Sequence, residues 1–255
     1  MMNHLLEMAR TVRTAVAGIP LEERRRTVAM GADGTPTSYI DKVAEDAILE
    51  YMKIHDIRLN FLSEEAGFID WEFEDTLVVD PLDGTFNACS GIPFYSVSLA
   101  VGRDSLSGMT EGLVMNLVTG DCFRASEGGG AMLNDQPIKV RAPADDKTLI
   151  TYLGASARPR AHAAASRFRR VRCLGSVSLE ICAVACGQVD AFFIDYSNVE
   201  KSPRVIDIAA AVLILREAGG QAYDANGEIL NMPLSLDVRK NMAAVNSTDT
   251  LELIL

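Results

Sequence analysis

The sequence predicts a chain with two kinds of architecture: helices with an antiparallel sheet in the amino-terminal half, and alternating helices and strands in the carboxyl-terminal half. Three patterns carry this prediction. Apolar side chains recur at helical spacing over residues 3–17, strand-like runs alternate with glycine-rich turns over residues 95–140, and helical and strand-like stretches alternate beyond residue 142. We therefore expect an α+β half over residues 1–141 and an α/β half over residues 142–255. No long linker divides the two halves, so we expect them to pack as one unit.

The first predicted elements are two amphipathic helices joined by a turn-rich loop. The first helix ends where Gly18 and Pro20 interrupt its periodicity. A loop rich in glycine and threonine is expected over residues 31–37, and a second helix over residues 38–54, because its apolar side chains fall on one face. Two strands are then expected, at residues 57–62 and 76–79.

The carboxyl-terminal half begins with a strand expected at residues 148–153 and an alanine- and arginine-rich helix at residues 156–169. The next elements are expected to be a helix, a strand, a helix and a strand, at residues 177–186, 190–194, 206–218 and 221–224. Gly219 and Gly220 are expected to end the last helix, since glycine accepts the left-handed conformation that often follows a helix.

Composition excludes several classes of function. The 255 residues are 48% hydrophobic and carry 24 basic against 35 acidic side chains, a formal net charge of −11. Nucleic acids and anionic membranes bind basic surfaces, so we expect neither as a partner. The five cysteines are odd in number and form no CxxC motif, which argues against a disulfide framework or a zinc site. Since no signal-peptide pattern and no bilayer-length apolar run are evident, we expect a cytoplasmic protein.

Acidic residues mark the boundaries of four predicted elements: Asp41, the pair Glu64-Glu65, the pair Asp80 and Asp83, and Asp207. The segment Asp80-Pro81-Leu82-Asp83 follows a buried strand and is expected to form a tight turn that directs both carboxylates to one place. Like charges held this closely repel each other unless a cation lies between them, and oxygen ligands favour Mg²⁺. The alternative is a surface turn with a capping aspartate.

The segment Asp80-Pro81-Leu82-Asp83-Gly84-Thr85-Phe86-Asn87 resembles the DP(I/L)DGTxN signature of the inositol monophosphatase family. Glu64-Glu65 resembles an upstream element of that family, and residues 206–220 resemble its WDxAAxxLIxEAGG element, with Ile206 in place of tryptophan. The three motifs occur in the family's order and spacing. The resemblance implies a layered αβαβα sandwich of the sugar phosphatase fold and a Mg²⁺-dependent phosphomonoesterase that forms a homodimer.

By motif position, the resemblance implies two or three Mg²⁺ ions, for which Mn²⁺ can substitute. The implied ligands are Glu64, Asp80 and the Leu82 carbonyl for the first ion, Asp80, Asp83 and Asp207 for the second, and Asp41 for a more weakly bound third. The alternative for Asp41 is an acid that stabilises the start of its helix. Glu64, Asp80 and Thr85 are the implied catalytic residues, with Thr85 hydrogen-bonded to Glu64 and orienting the attacking water. The alternative for Thr85 is a helix cap, and both roles can hold at once.

The resemblance also implies a substrate site drawn from both halves of the chain. Its residues are Asp83, Gly84, Thr85, Arg172, Gly175, Ser176, Val177 and Asp195. The backbone N–H groups of Gly84 and Thr85 are expected to hold the phosphate, because the start of a helix presents unpaired donors.

Residues 34–41 and 91–96 further resemble the archaeal branch of the family, whose members often act on both inositol-1-phosphate and fructose-1,6-bisphosphate. Ser197 stands where these relatives tend to carry an arginine, and Lys201 or Arg204 is a candidate to replace it. Two alternatives stay open. One is a nucleotide-type phosphatase for 3′-phosphoadenosine phosphates or NADP, and the other is a non-catalytic accessory role.

Overall fold

The computed structural model describes residues 1–32, 34–142 and 144–255. The helices there are α1 (Met2–Ala17), α2 (Leu21–Arg24), α3 (Tyr39–Ile54), α4 (Thr85–Ser90), α5 (Pro159–Ser166), α6 (Val177–Ala185), α7 (Val205–Glu217) and α8 (Thr248–Glu252). The strands are β1 (Thr27–Met30), β2 (Pro36–Ser38), β3 (Asn60–Ser63), β4 (Gly67–Ile69), β5 (Thr76–Asp83), β6 (Ser96–Gly102), β7 (Met109–Asn116), β8 (Cys122–Ser126), β9 (Ala131–Leu133), β10 (Gln136–Ile138), β11 (Thr148–Thr151), β12 (Arg170–Arg172), β13 (Ala191–Ile194), β14 (Gln221–Asp224) and β15 (Met242–Val245). None of the helices in these residues combines the length and the apolar composition that crossing a membrane requires.

The elements stack in five layers that alternate between helix and sheet. Helices α1 and α3 cover one face of an eight-stranded sheet with strand order β10-β9-β8-β7-β6-β5-β3-β4. Helices α6 and α7 lie between that sheet and a five-stranded sheet of order β12-β11-β13-β15-β14, whose other face packs on α5 and α8. The expected αβαβα sandwich is therefore confirmed.

The outer helices α1 and α3 form because each presents one apolar stripe to the larger sheet. Leu5 and Met8 of α1 and Ile40 and Ile48 of α3 are fully buried, and they pack in one cluster with Val79 of the sheet. Full burial of an aliphatic side chain contributes about 1.5–3 kcal/mol. The periodicity of the sequence thus identifies the face of each helix that meets the sheet.

Helix α7 is apolar on every side because it lies between two sheets. From Val205 to Leu215, Asp207 alone is not buried. Gly112 of β7 allows a close approach on one side, since a Cβ at that position would lie 3.0 Å from the Ala210 carbonyl oxygen. This helix of the carboxyl-terminal half therefore packs directly on strands of the amino-terminal half.

Two glycines end α7 as the sequence suggests. Gly219 has a φ of +91°, which a residue with a side chain rarely adopts. Its N–H donates to the Arg216 carbonyl, and the Gly220 N–H donates to the Leu215 carbonyl at 2.9 Å. The chain therefore leaves the helix in a Schellman motif and enters β14 directly.

Residues 80–83, where a tight turn was expected, belong to strand β5. The strand continues through this segment and pairs with β6, with Asp80 opposite Ser98 and Asp83 opposite Ser96. The bulge between these two pairs contains one extra residue, and Pro81, which has no N–H to donate, lies within it. The expected turn was wrong because pairing with β6 holds the segment extended.

The loop expected at residues 31–37 belongs in part to a small hairpin. Strand β1 pairs antiparallel with β2, and Met30 lies opposite Pro36. Residue 33 lies outside the described residues. Strand β2 leads directly into α3, where the Ser38 hydroxyl accepts the N–H of Asp41 as a helix cap.

Candidate metal and phosphate site

Two neighbouring parallel strands deliver acidic residues to one edge of the larger sheet. Strand β3 pairs parallel with β5, and Ser63 lies opposite Val79. Glu64 and Asp80 therefore follow side by side, and Asp83 ends β5 three residues later. Parallel strands end at the same edge of a sheet, so acids that are distant in sequence meet there.

A fourth acid, Asp207, comes from the first turn of α7. Its Oδ2 accepts the N–H of Arg204 at 2.7 Å and so caps the helix. We call Glu64, Asp80, Asp83 and Asp207 the acidic cluster.

The acidic cluster concentrates like charge in a buried place. Burial raises the pKa of Asp80 well above its ordinary value, and the charges of Asp83, Asp207 and Glu64 raise it further, against the lowering effect of Arg204. The charges of the other three carboxylates therefore all act on Asp80. A cation among them would offset the repulsion.

Asp83 ties the acidic cluster to the start of α6. Its Oδ2 accepts the hydroxyls of Ser176 and Ser178 at 2.6 and 2.5 Å and the Ser178 N–H at 2.7 Å, while its Oδ1 accepts the Val177 N–H at 3.0 Å. Burial raises the pKa of Asp83, and these hydrogen bonds oppose the rise. Two of the expected substrate residues, Ser176 and Val177, therefore contact an expected metal ligand directly.

Arg204 places a positive charge inside the acidic cluster. Its side chain is only 6% exposed, and its Nη2 lies 2.8 Å from Glu64 Oε2 and 3.6 Å from Asp207 Oδ1. Burial disfavours the charged guanidinium, but Asp207 and Glu64 outweigh this effect and raise the pKa of Arg204. The sequence suggested Arg204 as a replacement for the arginine that archaeal relatives carry at the position of Ser197, whereas the structure pairs Arg204 with carboxylates.

Thr85 begins α4 and contacts Asp41 instead of the expected Glu64. Its hydroxyl donates to Asp41 Oδ1 at 2.9 Å and lies 3.1 Å from the Leu82 carbonyl oxygen. The expected Thr85–Glu64 hydrogen bond was wrong, because Glu64 is paired with the Arg204 guanidinium, a stronger partner for a carboxylate than a neutral hydroxyl. Burial raises the pKa of Asp41, and its hydrogen bonds to hydroxyls oppose the rise.

Two glycines bring the turn before α4 against the turn before α6. Gly84 has a φ of +95°, and a Cβ there would lie 3.0 Å from the Gly175 carbonyl oxygen. Gly175 has a φ of +91°, and a Cβ there would lie 2.9 Å from the Asn87 amide. The Asn87 Nδ2 donates to the carbonyls of Phe94 and Leu174 at 2.8 and 2.7 Å. Only glycine fits both positions, so the turn expected to hold the phosphate contacts the turn that carries the expected substrate residues Gly175 and Ser176.

Glu180 anchors the same turn from within α6. This turn and the first residues of α6 span residues 174–178, which we call the 174–178 segment. Glu180 is fully buried, and its Oε1 accepts the N–H groups of Leu174 and Gly175 at 2.7 and 3.1 Å. Its Oε2 accepts the Tyr152 hydroxyl at 2.5 Å. Burial raises the pKa of Glu180 to about 7, against the effect of these hydrogen bonds.

Two expected substrate residues have other contacts. Arg172 is exposed on the edge strand β12, and its guanidinium donates to the neighbouring backbone carbonyl at 2.9 Å. Asp195 is 2% exposed, pairs with Arg158 and Arg160 at 3.5 and 3.2 Å, and accepts the Asn241 amide at 3.1 Å. A sugar hydroxyl would have to displace these partners to reach the Asp195 carboxylate.

The acidic cluster fits Mg²⁺ by the chemistry of its donors, which are carboxylate oxygens. Among the described residues, no three His, Cys, Asp or Glu side chains are already arranged around a single ion position. Glu64 faces Arg204, and Asp83 faces the hydroxyls at the start of α6. A cation bound by these carboxylates would compete with those partners for the same oxygens.

Sequence reasoning missed the buried acids that hold the loops of this site. Glu45 of α3 is 2% exposed, accepts the Ser63 hydroxyl, and accepts the Ala66 N–H at 3.2 Å, so it supports the turn that carries Glu64. Glu180 does the same for the 174–178 segment. The available signal was a glutamate on the apolar face of each predicted helix, since a buried charge there requires partners.

Comparison with known proteins identifies a family and relatives that match most or all of the chain. The model of the inositol monophosphatase family matches residues 1–255. A fructose-1,6-bisphosphatase/inositol-1-monophosphatase of Archaeoglobus fulgidus is 40% identical over 246 residues, which cover 94% of this chain and 91% of the relative. A bifunctional NADP phosphatase/NAD kinase of Methanococcus maripaludis is 35% identical over 98% of this chain, but the match spans only 48% of that relative. The crystal structure of an inositol monophosphatase–fructose 1,6-bisphosphatase has a TM-score of 0.86 at 30% identity, and covers 99% of this chain and 97% of that one.

Proposed function

Because the chain belongs to the inositol monophosphatase family, we propose that it is a Mg²⁺-dependent phosphomonoesterase acting on inositol-1-phosphate and fructose-1,6-bisphosphate. The observation that carries the proposal is the convergence of four carboxylates from β3, β5 and α7 beside the Gly84 turn. Bound Mg²⁺, or Mn²⁺ in its place, lowers the pKa of a coordinated water and offsets the charge of the phosphoryl group.

Six residues would hold two or three ions. They are Glu64, Asp80 and the Leu82 carbonyl for the first, Asp80, Asp83 and Asp207 for the second, and Asp41 for the third. The support is electrostatic, since Asp80 lies within reach of the charges of Glu64, Asp83 and Asp207.

Thr85 orients the attacking water. Its hydroxyl hydrogen is donated to Asp41, so its oxygen lone pairs are directed to accept a hydrogen from water. The Ser38 hydroxyl donates to the other oxygen of Asp41 and so limits rotation of the carboxylate. This arrangement replaces the Thr85–Glu64 pairing that the sequence suggested.

The backbone positions the rest of the substrate. The N–H groups of Gly84 and Thr85 hold the phosphate oxygens, where a left-handed glycine lets the chain approach closely. Asp83 and the adjoining Ser176 and Val177 contact the hydroxyls of the polyol. Because the Gly84 turn contacts Gly175, the phosphate and polyol contacts keep a constant separation.

The test measures phosphate release from inositol-1-phosphate, fructose-1,6-bisphosphate and NADP, with Mg²⁺ and with EDTA. Wild type should release phosphate only with Mg²⁺, and Asp80→Asn should lose this activity, whereas the control Asp121→Asn changes a half-buried aspartate outside the acidic cluster and should retain it. Equal activity of wild type and Asp80→Asn on every substrate refutes the proposal. A preference for NADP would instead favour a nucleotide phosphatase, as in the relative from Methanococcus maripaludis.

Fructose-1,6-bisphosphate requires a positive group for its second phosphate. The candidates are Arg172, which is exposed, and Lys201, whose Nζ contacts the Ser156 hydroxyl at 3.0 Å. A residue with this role should raise KM for fructose-1,6-bisphosphate when replaced by Met and leave KM for inositol-1-phosphate unchanged. Asp195 would contribute to sugar binding only if Arg158 and Arg160 released it.

We also propose that the protein is a cytoplasmic homodimer. Helices α2 and α4 pack against each other and present exposed apolar side chains. These are Leu21 of α2, Phe86 of α4, which is 72% exposed, and Ile92 in the turn that follows α4. All five cysteines are free, which suits a reducing compartment. Light scattering of wild type and Phe86→Asp tests the dimer: the variant should be monomeric if this face is the interface.

A further inference from the structure

Arg204 contacts the carboxylates that the proposed function assigns to Mg²⁺. Its Nη2 lies 2.8 Å from Glu64 Oε2 and 3.6 Å from Asp207 Oδ1, and its charge also acts on Asp80. A divalent cation bound by these oxygens would compete with the guanidinium for them and repel it. Arg204 and the metal therefore oppose each other at the same ligands.

The backbone keeps Arg204 at this position. Its N–H donates to Asp207 Oδ2 at 2.7 Å, and its carbonyl accepts the Asp207 N–H at 3.2 Å, so residue and ligand cap one helix end reciprocally. These two backbone contacts keep the Arg204 Cα one helical turn from Asp207. The Arg204 side chain therefore begins beside the acidic cluster, whichever partner its guanidinium contacts.

We propose that Arg204 is a built-in counter-charge of the acidic cluster, which holds Glu64 and Asp207 when divalent cation is scarce and gives them up when the cation binds. The inference rests on the proposed function, because it takes the acidic cluster as the Mg²⁺ site. Arg204 thereby stabilises the protein without metal and weakens metal binding. The site is then half-occupied at a higher concentration of free cation than it would be if the four carboxylates had no counter-charge.

The experiment compares wild type with Arg204→Met, which keeps the apolar stem and removes the charge, and with Arg204→Lys. Electron paramagnetic resonance measures Mn²⁺ affinity, and thermal unfolding is followed in EDTA and in saturating Mg²⁺. Arg204→Met should bind Mn²⁺ at least about tenfold more tightly, because a cation–cation repulsion is removed. Its midpoint of unfolding should fall more in EDTA than in Mg²⁺, since only the metal then compensates the carboxylates. Arg204→Lys should show the same changes at a smaller size, because a compact ammonium cannot span both partners.

A matched control is Arg141→Met. Arg141 pairs with Asp190, a fully buried carboxylate outside the acidic cluster. Loss of that ion pair should lower the midpoint of unfolding equally in EDTA and in Mg²⁺ and leave Mn²⁺ affinity unchanged. The control separates loss of a buried ion pair from loss of a charge that competes with metal.

Two results would overturn the inference: an Mn²⁺ affinity of Arg204→Met no tighter than that of wild type, or a midpoint that falls equally in both conditions. Arg204 would then only cap α7. If Arg204→Met does not fold, Arg204→Lys decides by the same two measurements. If Asp80→Asn binds Mn²⁺ as tightly as wild type does, the proposed metal site itself is overturned. Failure of the inference alone leaves Asp80-dependent binding intact, so the two failures are distinguishable.

Discussion

The acidic cluster and the 174–178 segment meet at Asp83, yet they are held in opposite ways. In the acidic cluster, burial and mutual repulsion raise the pKa of Asp80, and one guanidinium supplies the opposing charge. The 174–178 segment is held by neutral N–H and hydroxyl donors that point at the buried carboxylates of Asp83 and Glu180. One region therefore holds like charges that a bound cation would offset, whereas neutral donors already satisfy the carboxylates of the other.

The variant with the largest expected effect is Asp83→Asn, because Asp83 belongs to both regions. An amide oxygen can replace only part of a carboxylate that accepts four hydrogen bonds from Ser176, Val177 and Ser178, and it carries no charge for the metal. We expect kcat to fall by about 10³-fold. Hydrogen exchange at the amides of Val177 and Ser178 should also become faster. Wild-type Mn²⁺ affinity in this variant would contradict its assignment as a ligand.

Thr85→Val tests the acidic side alone. It keeps the shape of the side chain but removes the hydroxyl that contacts Asp41, so kcat should fall by about 10²-fold with little change in KM. Thr85→Ser retains the hydroxyl and should keep most of the activity. If kcat falls equally in Thr85→Val and Thr85→Ser, the side chain acts through its packing and not by orienting water.

Glu180→Gln tests the other side through its pH dependence. The folded-state pKa of about 7 exceeds the ordinary value of 4.5, so the protonated form favours folding: the stabilisation is complete below about pH 4.5 and is lost as the pH rises through 7. Wild type should therefore lose about 2–3 kcal/mol of unfolding free energy between pH 5 and pH 8 from this group. Urea unfolding of Glu180→Gln should lack that loss, and Glu50→Gln, which changes an exposed glutamate, should retain it. An identical pH profile in wild type and Glu180→Gln would contradict the assignment.

The smallest effect is expected for Ser96→Ala. The Ser96 hydroxyl lies 3.3 Å from Asp83 Oδ2 and within 3.0 Å of the hydroxyls of Ser176 and Ser178. Its partners keep other hydrogen bonds, so the unfolding free energy should fall by about 1 kcal/mol, with KM and kcat nearly unchanged. A large rise in KM would show that the 174–178 segment is less firmly held than its other contacts indicate.

Much of the fold followed from local patterns. The helical periodicity of α1 and α3 and the apolar run of α7 identified these elements, because burial against a sheet requires those patterns in any tertiary setting. The segment 80–83 was the clear error. Its Asp-Pro-x-Asp-Gly composition is typical of a turn, but pairing with β6 outweighs that local preference and holds it as a bulged strand.

The sequence alone identified the acids of the candidate site and the family of the chain, because each of these acids lies within a short motif of characteristic order. Only the tertiary structure decided the partners of those acids. Thr85 meets Asp41, Arg204 meets Glu64, and Asp195 is enclosed by Arg158 and Arg160. Two of these pairings join residues 44 and 140 positions apart, 41 with 85 and 64 with 204. Neither periodicity nor motif spacing specifies which side chains at the meeting edges of the layers come into contact, so these pairings depend on the packing of β3, β5, α3 and α7.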